Sequence, residues 1–295
     1  MKIAISGSHG LIGTYIVNDL RLKNHSVTRI VRSKDTAGIF WDPTTNYINQ
    51  DRLEAYDIII NLCGNKIASF NPFYVNKGPI YSSRINTNLL LSRAISRLKN
   101  PPKYFISASA CGIYNPANDD ITENGIYGEG FLTQLALDWE EASRFYNTPE
   151  TKIINLRFGQ VISKESPFLN IMKNLIIYSR VSSIGNGKQH WPWISINDVI
   201  NIMNFIINSN FLEGPINIVS PQKVTSKEFL NKLSQVIGRS SFLKIPSQAI
   251  KLLTNKLAGQ ILLNDYPVVP AKLNNNNYNF VEEDLNETLK RLTKN

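Results

Sequence analysis

Three glycines near the start of the chain have the spacing of a phosphate-binding turn. Gly7, Gly10 and Gly13 follow the short apolar run 3–5, and a second strand pattern at 27–31 completes a strand–helix–strand unit. Glycines in such a turn let the backbone approach a pyrophosphate, whose oxygens face the N–H groups that open the helix. The pattern predicts a dinucleotide site; an ordinary strand-to-helix turn is the alternative. The predicted contacts are Gly7, Ser8, Gly10, Leu11, Ile12 and Gly13.

Arg32 stands at the end of the second predicted strand, nineteen residues after Gly13. Chains that bind NAD usually carry an acidic residue there, hydrogen-bonded to the ribose hydroxyls. An arginine instead forms paired hydrogen bonds with a 2′-phosphate, and Arg29 and Lys34 add positive charge nearby. These residues predict NADP(H) as the cofactor. A solvated arginine at a strand end is the alternative.

Hydroxyl side chains mark the end of a later predicted strand, 104–109. A doubly wound sheet presents hydroxyls there to a nicotinamide ring and a substrate. Ser107 is predicted to contact the cofactor, or equally to make room for a helix. Ser109 and Tyr114 are the candidate catalytic residues, with Tyr114 as a proton donor. A tyrosine that simply lies in a loop is the alternative for Tyr114.

Strand and helix patterns alternate through the first half of the chain, which predicts an α/β fold with a doubly wound parallel sheet of the Rossmann type. The further strands are predicted at 57–63, 104–109 and 152–158, and the helices at 11–20, 84–98 and 131–145.

The pattern changes after about residue 160. Helices are predicted at 166–178, 197–207 and 226–237, a strand at 215–219, a glycine- and tryptophan-rich loop at 185–196 and a mainly helical segment at 243–295. We expect an NADP-binding domain over residues 1–165 and a smaller, mainly helical substrate lobe over residues 166–295. The lobe should pack on the carboxyl ends of the strands as part of one interleaved unit.

The composition, with 42% hydrophobic and 19% charged residues, is typical of a globular protein with a sizeable core. The longest apolar runs are much shorter than the roughly 20 residues that span a bilayer. Ser6 and Gly7 interrupt the apolar start, so no signal peptide and a cytoplasmic location are expected. Cys63 and Cys111 are too few for a disulfide framework, and with three histidines in all no metal site is expected.

The net charge of +9 arises from basic residues scattered singly along the chain. The sequence contains no arginine-rich helix and no basic stripe with interleaved aromatics, which are the features that indicate nucleic-acid binding. The charge instead favours anionic small ligands. We expect a small-molecule substrate and no nucleic-acid or membrane partner, and the oligomeric state is left open.

The chain resembles the atypical branch of the short-chain dehydrogenase/reductase superfamily known as the epimerase family protein group, which comprises NADP-dependent oxidoreductases and nucleotide-sugar epimerases. The resemblance runs nearly end to end and rests on 6–13, 31–32, 41–43, 61–64, 83–84, 107–110, 131–132, 138–140, 156–157, 185–187, 193–194 and 214–217. It implies that further residues line the cofactor beside the glycine turn. These are Val31, Arg32, Leu62, Cys63, Gly64, Arg84 and Val161.

One departure from the superfamily concerns catalysis. Typical members carry a tyrosine and a lysine four residues apart on one helix, and the lysine lowers the tyrosine pKa and holds the nicotinamide ribose. Here the corresponding helix begins at Phe131, and no lysine occurs between Lys103 and Lys152. The branch that the chain resembles also lacks the pair. Other side chains must therefore donate the proton, and Ser109 and Tyr114 are the candidates.

A second departure concerns the substrate. Nucleotide-sugar epimerases usually carry an arginine two residues after the glutamine of a Gly-x-Gly-x-Gln loop, where it pairs with the diphosphate. Here Trp191 follows Gln189 at that spacing, and Lys188 would substitute in part. Trp191 and Trp193 predict an apolar or stacking pocket, with loop anchors as the alternative. His190 is either a general base or a solvated side chain.

The sequence favours an NADP(H)-dependent oxidoreductase that acts on a small carbonyl or alcohol. A nucleotide-sugar epimerase is the second interpretation. A non-catalytic NADP(H)-binding redox sensor is the third, because fold alone does not establish activity.

Overall fold

The computed structural model describes residues 1–65, 75–116, 119–146 and 148–293. Its strands are β1 Lys2–Ser6, β2 Ser26–Val31, β3 Ile39–Asp42, β4 Tyr47–Ile48, β5 Ile58–Asn61, β6 Tyr104–Ala110, β7 Lys152–Phe158, β8 Gln160–Ile162, β9 Val181–Ile184, β10 Trp193–Ser195, β11 Gly214–Ile218 and β12 Leu243–Ile245. Its helices are α1 Leu11–Leu22, α2 Lys77–Ile95, α3 Phe131–Arg144, α4 Pro167–Ser179, α5 Ile196–Asn208, α6 Ser226–Val236, α7 Ser247–Leu253, α8 Lys256–Leu263, α9 Ala271–Asn275 and α10 Leu285–Thr293.

Eight strands form the main sheet in the order β11-β7-β6-β5-β1-β2-β3-β4. Neighbouring strands run parallel except β3 and β4, which form an antiparallel hairpin. The chain order reverses at β1, which lies between β2 and β5. Dinucleotides bind outside the carboxyl ends of the strands at such a reversal. The predicted α/β fold with a doubly wound parallel sheet is confirmed.

Helices cover both faces of the central strands. Ile3 and Ile5 belong to a core cluster with Val17 of α1 and Val199 of α5. On the other face, Ala4 packs in a cluster with Leu91 of α2. Parallel strands buried on both faces consist of nearly continuous apolar residues. This is why the short run 3–5 already indicates a central strand.

Residues after β8 build a second core beside the sheet. Helices α4, α6 and α10 contribute Leu169, Phe229 and Leu289 to one buried cluster. Short parallel pairs, β8 with β10 and β9 with β12, extend this lobe. Strand β11 returns to the main sheet beside β7. The division of the chain into domains at residue 165 stays a prediction. The edge strand β11 of the main sheet comes from residues after this division.

Several local features differ from the sequence-based prediction, and strand β10 lies within the segment 185–196 that was predicted as a loop. Helix α2 begins at Lys77 rather than at 84, because the Asn76 side chain accepts a hydrogen bond from the Gly78 N–H and caps it. The segment predicted as mainly helical contains β12 besides its helices, and its last two residues lie outside the described residues. The hairpin of β3 and β4 buries Trp41 in the core. Within the described ranges, no helix is long and apolar enough to cross a membrane.

Candidate functional site

The turn after β1 requires glycine at two of its three predicted positions. Gly7 has a φ of +68°, and a Cβ atom there would lie 2.5 Å from the carbonyl carbon of Leu62. A Cβ atom on Gly13 would lie 2.8 Å from the Cα of Ser8 and would overlap the carbonyl oxygen of Gly7. The Gly10 N–H closes the turn by donating to the Gly7 carbonyl at 3.0 Å. The turn therefore packs backbone directly against backbone.

Helix α1 begins after this turn without a capping side chain. Gly10 is its N-cap residue, and its first turn carries no acidic residue. The N–H groups that open the helix therefore remain suited to an anion. Ser8 adds a buried hydroxyl that has no hydrogen-bond partner among the described residues. Because buried polar atoms are rarely left unpaired, both features fit a bound pyrophosphate. Leu11 and Ile12 open the helix at the same place.

Arg32 lies just beyond β2, on the side of β1 away from β5. Its side chain is exposed and forms no hydrogen bond or ion pair with the part of the chain that the structure describes. The Lys34 ammonium nitrogen lies nearby in sequence, 5.3 Å from the centre of the Phe40 ring. Val31, the last residue of β2, is buried beneath this edge. A free guanidinium here fits a phosphate group.

Leu62, Cys63 and Gly64 follow β5 and adjoin the glycine turn. The Cys63 N–H and the Ser6 hydroxyl both donate to Oδ1 of Asn61, at 3.1 and 2.6 Å. Asn61 thus ties the carboxyl ends of β1 and β5 together. Burial raises the pKa of the Cys63 thiol, so this side chain is neutral at pH 7.

Ser107 does not present its hydroxyl to the crevice. It is fully buried, and its oxygen accepts a hydrogen bond from Nδ2 of Asn88 at 2.7 Å. Asn88 in turn accepts from Nδ2 of Asn61 at 2.6 Å and donates to the Trp139 carbonyl at 2.9 Å. Contact of Ser107 with a cofactor stays a prediction. Its side chain is hydrogen-bonded to α2, beside which the alternative interpretation placed it as a small residue that makes room for a helix.

Arg84 carries a buried positive charge with no carboxylate partner within the described ranges. Its guanidinium lies 4.9 Å from the centre of the Trp139 ring, and Nη1 donates to the Ile80 carbonyl at 2.9 Å. Its buried Nε has no partner in the same ranges, and a Cβ atom on Gly64 would lie 3.0 Å from its Cζ. Burial lowers the pKa of Arg84 to about 10. An unpaired guanidinium beside the strand end fits an anionic or hydroxyl-rich ligand.

Val161 lies on β8 and pairs with Ile194 of β10. It is half-buried against the same core cluster as Ile12 and Leu62. Direct contact of Val161 and the other residues of the predicted cofactor set with a ligand stays a prediction.

A second buried network lies under the ends of β6 and β7. Arg157 is fully buried and donates from Nε and Nη2 to the two carboxylate oxygens of Glu140, each at 2.8 Å. The Ser109 hydroxyl donates to the same carboxylate at 2.7 Å. The Tyr114 hydroxyl accepts from Nη1 of Arg157 at 2.8 Å and donates to Oδ1 of Asn217 at 2.6 Å.

This network gives Ser109 and Tyr114 internal partners, and their catalytic roles stay predictions. Both side chains are buried, and the proton of each hydroxyl is bound to an acceptor inside the protein. Burial also raises the pKa of Tyr114. Donation of the Tyr114 proton to a substrate would leave the buried Oδ1 of Asn217 without this donor, which costs about 1–3 kcal/mol. Both residues serve the packing of the strand ends.

Helix α3 presents apolar side chains to the turn after β6. A Cβ atom on Gly112 would lie 3.7 Å from Cβ of Leu132. Ala136, one helical turn later, packs in a buried cluster with Cys111 and with Tyr266, which follows α8. The sequence pattern did not identify Tyr266 as a candidate. This tyrosine lies in the segment 243–295, which was predicted as mainly helical, and no local motif distinguishes it there.

The two tryptophans of the 185–196 loop are core residues, so the predicted stacking pocket is corrected and the alternative of loop anchors holds. Trp191 is 3% exposed, packs against the rings of Phe168 and Phe229, and donates from Nε1 to the Leu262 carbonyl at 3.1 Å. Trp193 is 1% exposed and donates from Nε1 to the Gln222 carbonyl at 3.0 Å.

His190 is paired rather than simply solvated. Oδ1 of Asp265 lies 2.8 Å from its Nδ1 and also accepts its backbone N–H at 2.8 Å. Its neighbour Trp191 lies in the core, and side chains alternate along extended backbone, so the imidazole lies on the opposite side. This arrangement fastens the segment after α8 to the loop, and a role of His190 as a general base stays a prediction.

A family model and a related protein both assign the chain to one family. A family model described as "NAD dependent epimerase/dehydratase family" matches residues 3–218. An epimerase family protein of Mycobacterium leprae is 33% identical over 294 residues, which cover 99% of this chain and 95% of that protein.

Solved structures show the same fold. The human epimerase family protein SDR39U1, crystallised with NADPH, superposes with a TM-score of 0.88 at 25% identity and covers 99% of both chains. A UDP-glucuronic acid 4-epimerase variant from Bacillus cereus, in complex with a UDP-sugar analogue and NAD, has a TM-score of 0.78 over 99% of this chain and 98% of its own. Its identity of 16% makes it evidence for the fold alone.

Proposed function

The chain belongs to the NAD dependent epimerase/dehydratase family, and we propose that it is an NADP(H)-dependent oxidoreductase acting on a small carbonyl or alcohol substrate. The observation that carries the proposal is the free, exposed guanidinium of Arg32 just beyond β2, the part of such a fold where an arginine accommodates a 2′-phosphate. The related human protein was crystallised with NADPH, in agreement with this choice of cofactor.

Each part of the crevice has a role in this proposal. The N–H groups at the start of α1 and the hydroxyl of Ser8 would bind the pyrophosphate, and Arg32 the 2′-phosphate. Arg84, beside the end of β5, would face the ribose or phosphate on the nicotinamide side. The nicotinamide supplies hydride chemistry when bound, while the protein supplies orientation and a proton path. A cytoplasmic location is part of the same proposal.

Replacing Arg32 with aspartate tests the choice of cofactor. The substitution removes one or two charged hydrogen bonds and places a carboxylate beside the 2′-phosphate, so we expect NADPH affinity to fall about 10- to 100-fold. Affinity for NADH should stay level or rise, since a carboxylate there suits free ribose hydroxyls. Isothermal titration calorimetry with both cofactors measures the two values.

Arg21→Asp is the matched control, because it makes the same charge change in the last turn of α1. That position lies about 15 Å along the helix from the glycine turn. It should leave NADPH affinity within about twofold of the wild-type value, as expected for a screened, distant charge. Equal NADPH affinity in Arg32→Asp and wild type would refute the assignment of Arg32.

A nucleotide-sugar epimerase is the second candidate, favoured by the family and by the fold it shares with the Bacillus cereus enzyme. The buried Trp191 weighs against it, because an indole cannot neutralise a diphosphate. The oxidoreductase and the epimerase differ in whether they consume NADPH in each turnover. Conversion of UDP-glucose or UDP-glucuronic acid without net NADPH consumption would favour the epimerase. NADPH binding without turnover of sugars or carbonyls would favour a non-catalytic sensor.

A further inference from the structure

Tyr266 brings a phenol to the strand ends on the nicotinamide side of the crevice. It belongs to a buried cluster with Cys111, which follows β6, and with Val219, which follows β11. Both strands lie on the β5 side of the reversal at β1. In doubly wound sheets this half, opposite the adenosine half at β2, receives the reacting end of the dinucleotide.

Helix α3 contributes a small residue to the cluster that contains this ring. The cluster around Tyr266 includes Ala136, the small residue one turn after Leu132 on the face of α3 that meets the Cys111 turn. A long side chain at Ala136 would crowd this buried cluster. The phenol thus comes from the C-terminal segment after α8, whereas the α3 hydroxyl at this turn, that of Thr133, donates to the Gly112 carbonyl at 3.1 Å.

The segment that carries Tyr266 is held in place on two sides. The Tyr266 N–H donates to the His190 carbonyl at 3.3 Å, and Asp265 binds His190 as described above. On the other side, the Val269 N–H donates to the Ile121 carbonyl at 2.9 Å. These bonds fix the backbone on either side of the phenol.

The hydroxyl of Tyr266 has an uncommitted proton. Its oxygen accepts a hydrogen bond from Nδ2 of Asn264 at 2.9 Å, and it donates to no residue in the ranges that the structure describes. The other buried tyrosines with clear partners, Tyr104 and Tyr114, donate their protons to internal oxygens. A largely buried hydroxyl with a free proton is suited to donate to a ligand.

We propose that Tyr266 is the proton donor of the reductase and that Asn264 is its positioning residue, a proposal that rests on the proposed function. In the reducing direction, hydride from NADPH forms the new C–H bond at the substrate carbonyl carbon. The C=O π electrons move to oxygen, which takes the proton as the O–H bond of Tyr266 breaks. The products are the alcohol, NADP⁺ and a tyrosinate that accepts the Asn264 N–H and regains its proton from water.

The protonation state of Tyr266 agrees with this role. Burial is the largest influence and raises the pKa of Tyr266, while the hydrogen bond from Asn264 lowers it in part. The phenol therefore keeps its proton at neutral pH, as carbonyl reduction requires. Reduction should decline at alkaline pH, as the phenol loses the proton that it donates.

Tyr266→Phe is the direct test, with Tyr178→Phe, an exposed tyrosine of α4, as matched control. With NADPH and a panel of small aldehydes and ketones that includes 4-nitrobenzaldehyde, kcat of Tyr266→Phe should fall about 100-fold or more. The Kd for NADPH by calorimetry should change by less than about twofold in both variants, because only a substrate-side hydroxyl is lost. Undiminished kcat in Tyr266→Phe would overturn the proposal and leave the proposed function intact.

Asn264→Asp provides a readout that does not depend on turnover. Ultraviolet difference titration of wild type against Tyr266→Phe isolates the ionisation of this phenol. The carboxylate of Asn264→Asp should move that ionisation to higher pH, since it repels the tyrosinate and replaces its donor. An unchanged titration would overturn the role of Asn264. Wild-type protein that binds NADPH but reduces no carbonyl of the panel would instead refute the proposed function, and the role of Tyr266 with it.

Discussion

Replacement of Arg157 by methionine is expected to lower the free energy of unfolding by about 3–5 kcal/mol, because it leaves the Glu140 carboxylate buried without its partner. Both side chains are at most 3% exposed, and the bidentate pair also holds Ser109 and Tyr114. Burial is the largest single influence on the pKa of Arg157 and lowers it, but the hydrogen bonds and charge of Glu140, together with Tyr114, outweigh burial and raise the pKa. Urea denaturation followed by tryptophan fluorescence measures the loss.

Arg144→Met is the matched control for that substitution. Arg144 approaches the same carboxylate at 3.7 Å, but its side chain is 48% exposed. Exposed pairs contribute about 0–1 kcal/mol, so this variant should stay close to wild type. The double variant Arg157→Met with Glu140→Leu should regain part of the stability, since no buried charge then lacks a partner. A loss below about 1 kcal/mol in Arg157→Met would contradict a buried, charge-paired network.

The features that the sequence predicts correctly are those set by local patterns. A strand covered on both faces is a short apolar run, as at Ile3 and Ile5, and a turn packed against backbone needs glycine at Gly7 and Gly13. The position of Arg32 follows from counting along one strand–helix–strand unit. Each inference uses neighbours within about thirty residues, where chain geometry limits the alternatives.

The direction in which the strand-end hydroxyls point cannot be predicted from residues that are close in sequence. Whether Ser109 faces a ligand or the interior depends on Glu140 and Arg157, which lie 31 and 48 residues further along the chain. Tyr114 is fixed by Asn217, 103 residues away. A hydroxyl pattern at a strand end shows that polar groups are present, but not which distant partner satisfies them.

The same limit explains the tryptophans and the missed phenol. Trp191 is buried by Phe168 and Phe229, which come from two helices on either side of it in the sequence. Tyr266 reaches Cys111 because a chain of long-range backbone bonds through His190 and Ile121 holds its segment there. Amphipathic periodicity carries no signal for either arrangement.

Gly13→Ala is expected to have the largest effect on cofactor binding. The new methyl group would overlap the carbonyl oxygen of Gly7 and approach Cα of Ser8 to 2.8 Å, so the turn and the start of α1 must separate. Loss of two N–H bonds to a pyrophosphate, at about 1.5–3 kcal/mol each, corresponds to a reduction of about 100-fold or more in NADPH affinity. The overlap itself should cost about 1–3 kcal/mol of unfolding free energy. Calorimetry and urea denaturation measure the two effects.

Gly10→Ala separates the effect on NADPH affinity from the effect on stability. A Cβ atom at Gly10 would lie 3.2 Å from the Gly7 carbonyl oxygen, and the φ of −74° is one that alanine adopts freely. Its unfolding free energy should stay within about 0.5 kcal/mol of the wild-type value. Its NADPH affinity should still fall, since the methyl group stands where the backbone approaches the pyrophosphate. Gly112→Ala, with its nearest neighbour at 3.7 Å, should change neither quantity. Wild-type NADPH affinity in both Gly10→Ala and Gly13→Ala would mean that the cofactor binds elsewhere, because no pyrophosphate on this turn tolerates both methyl groups.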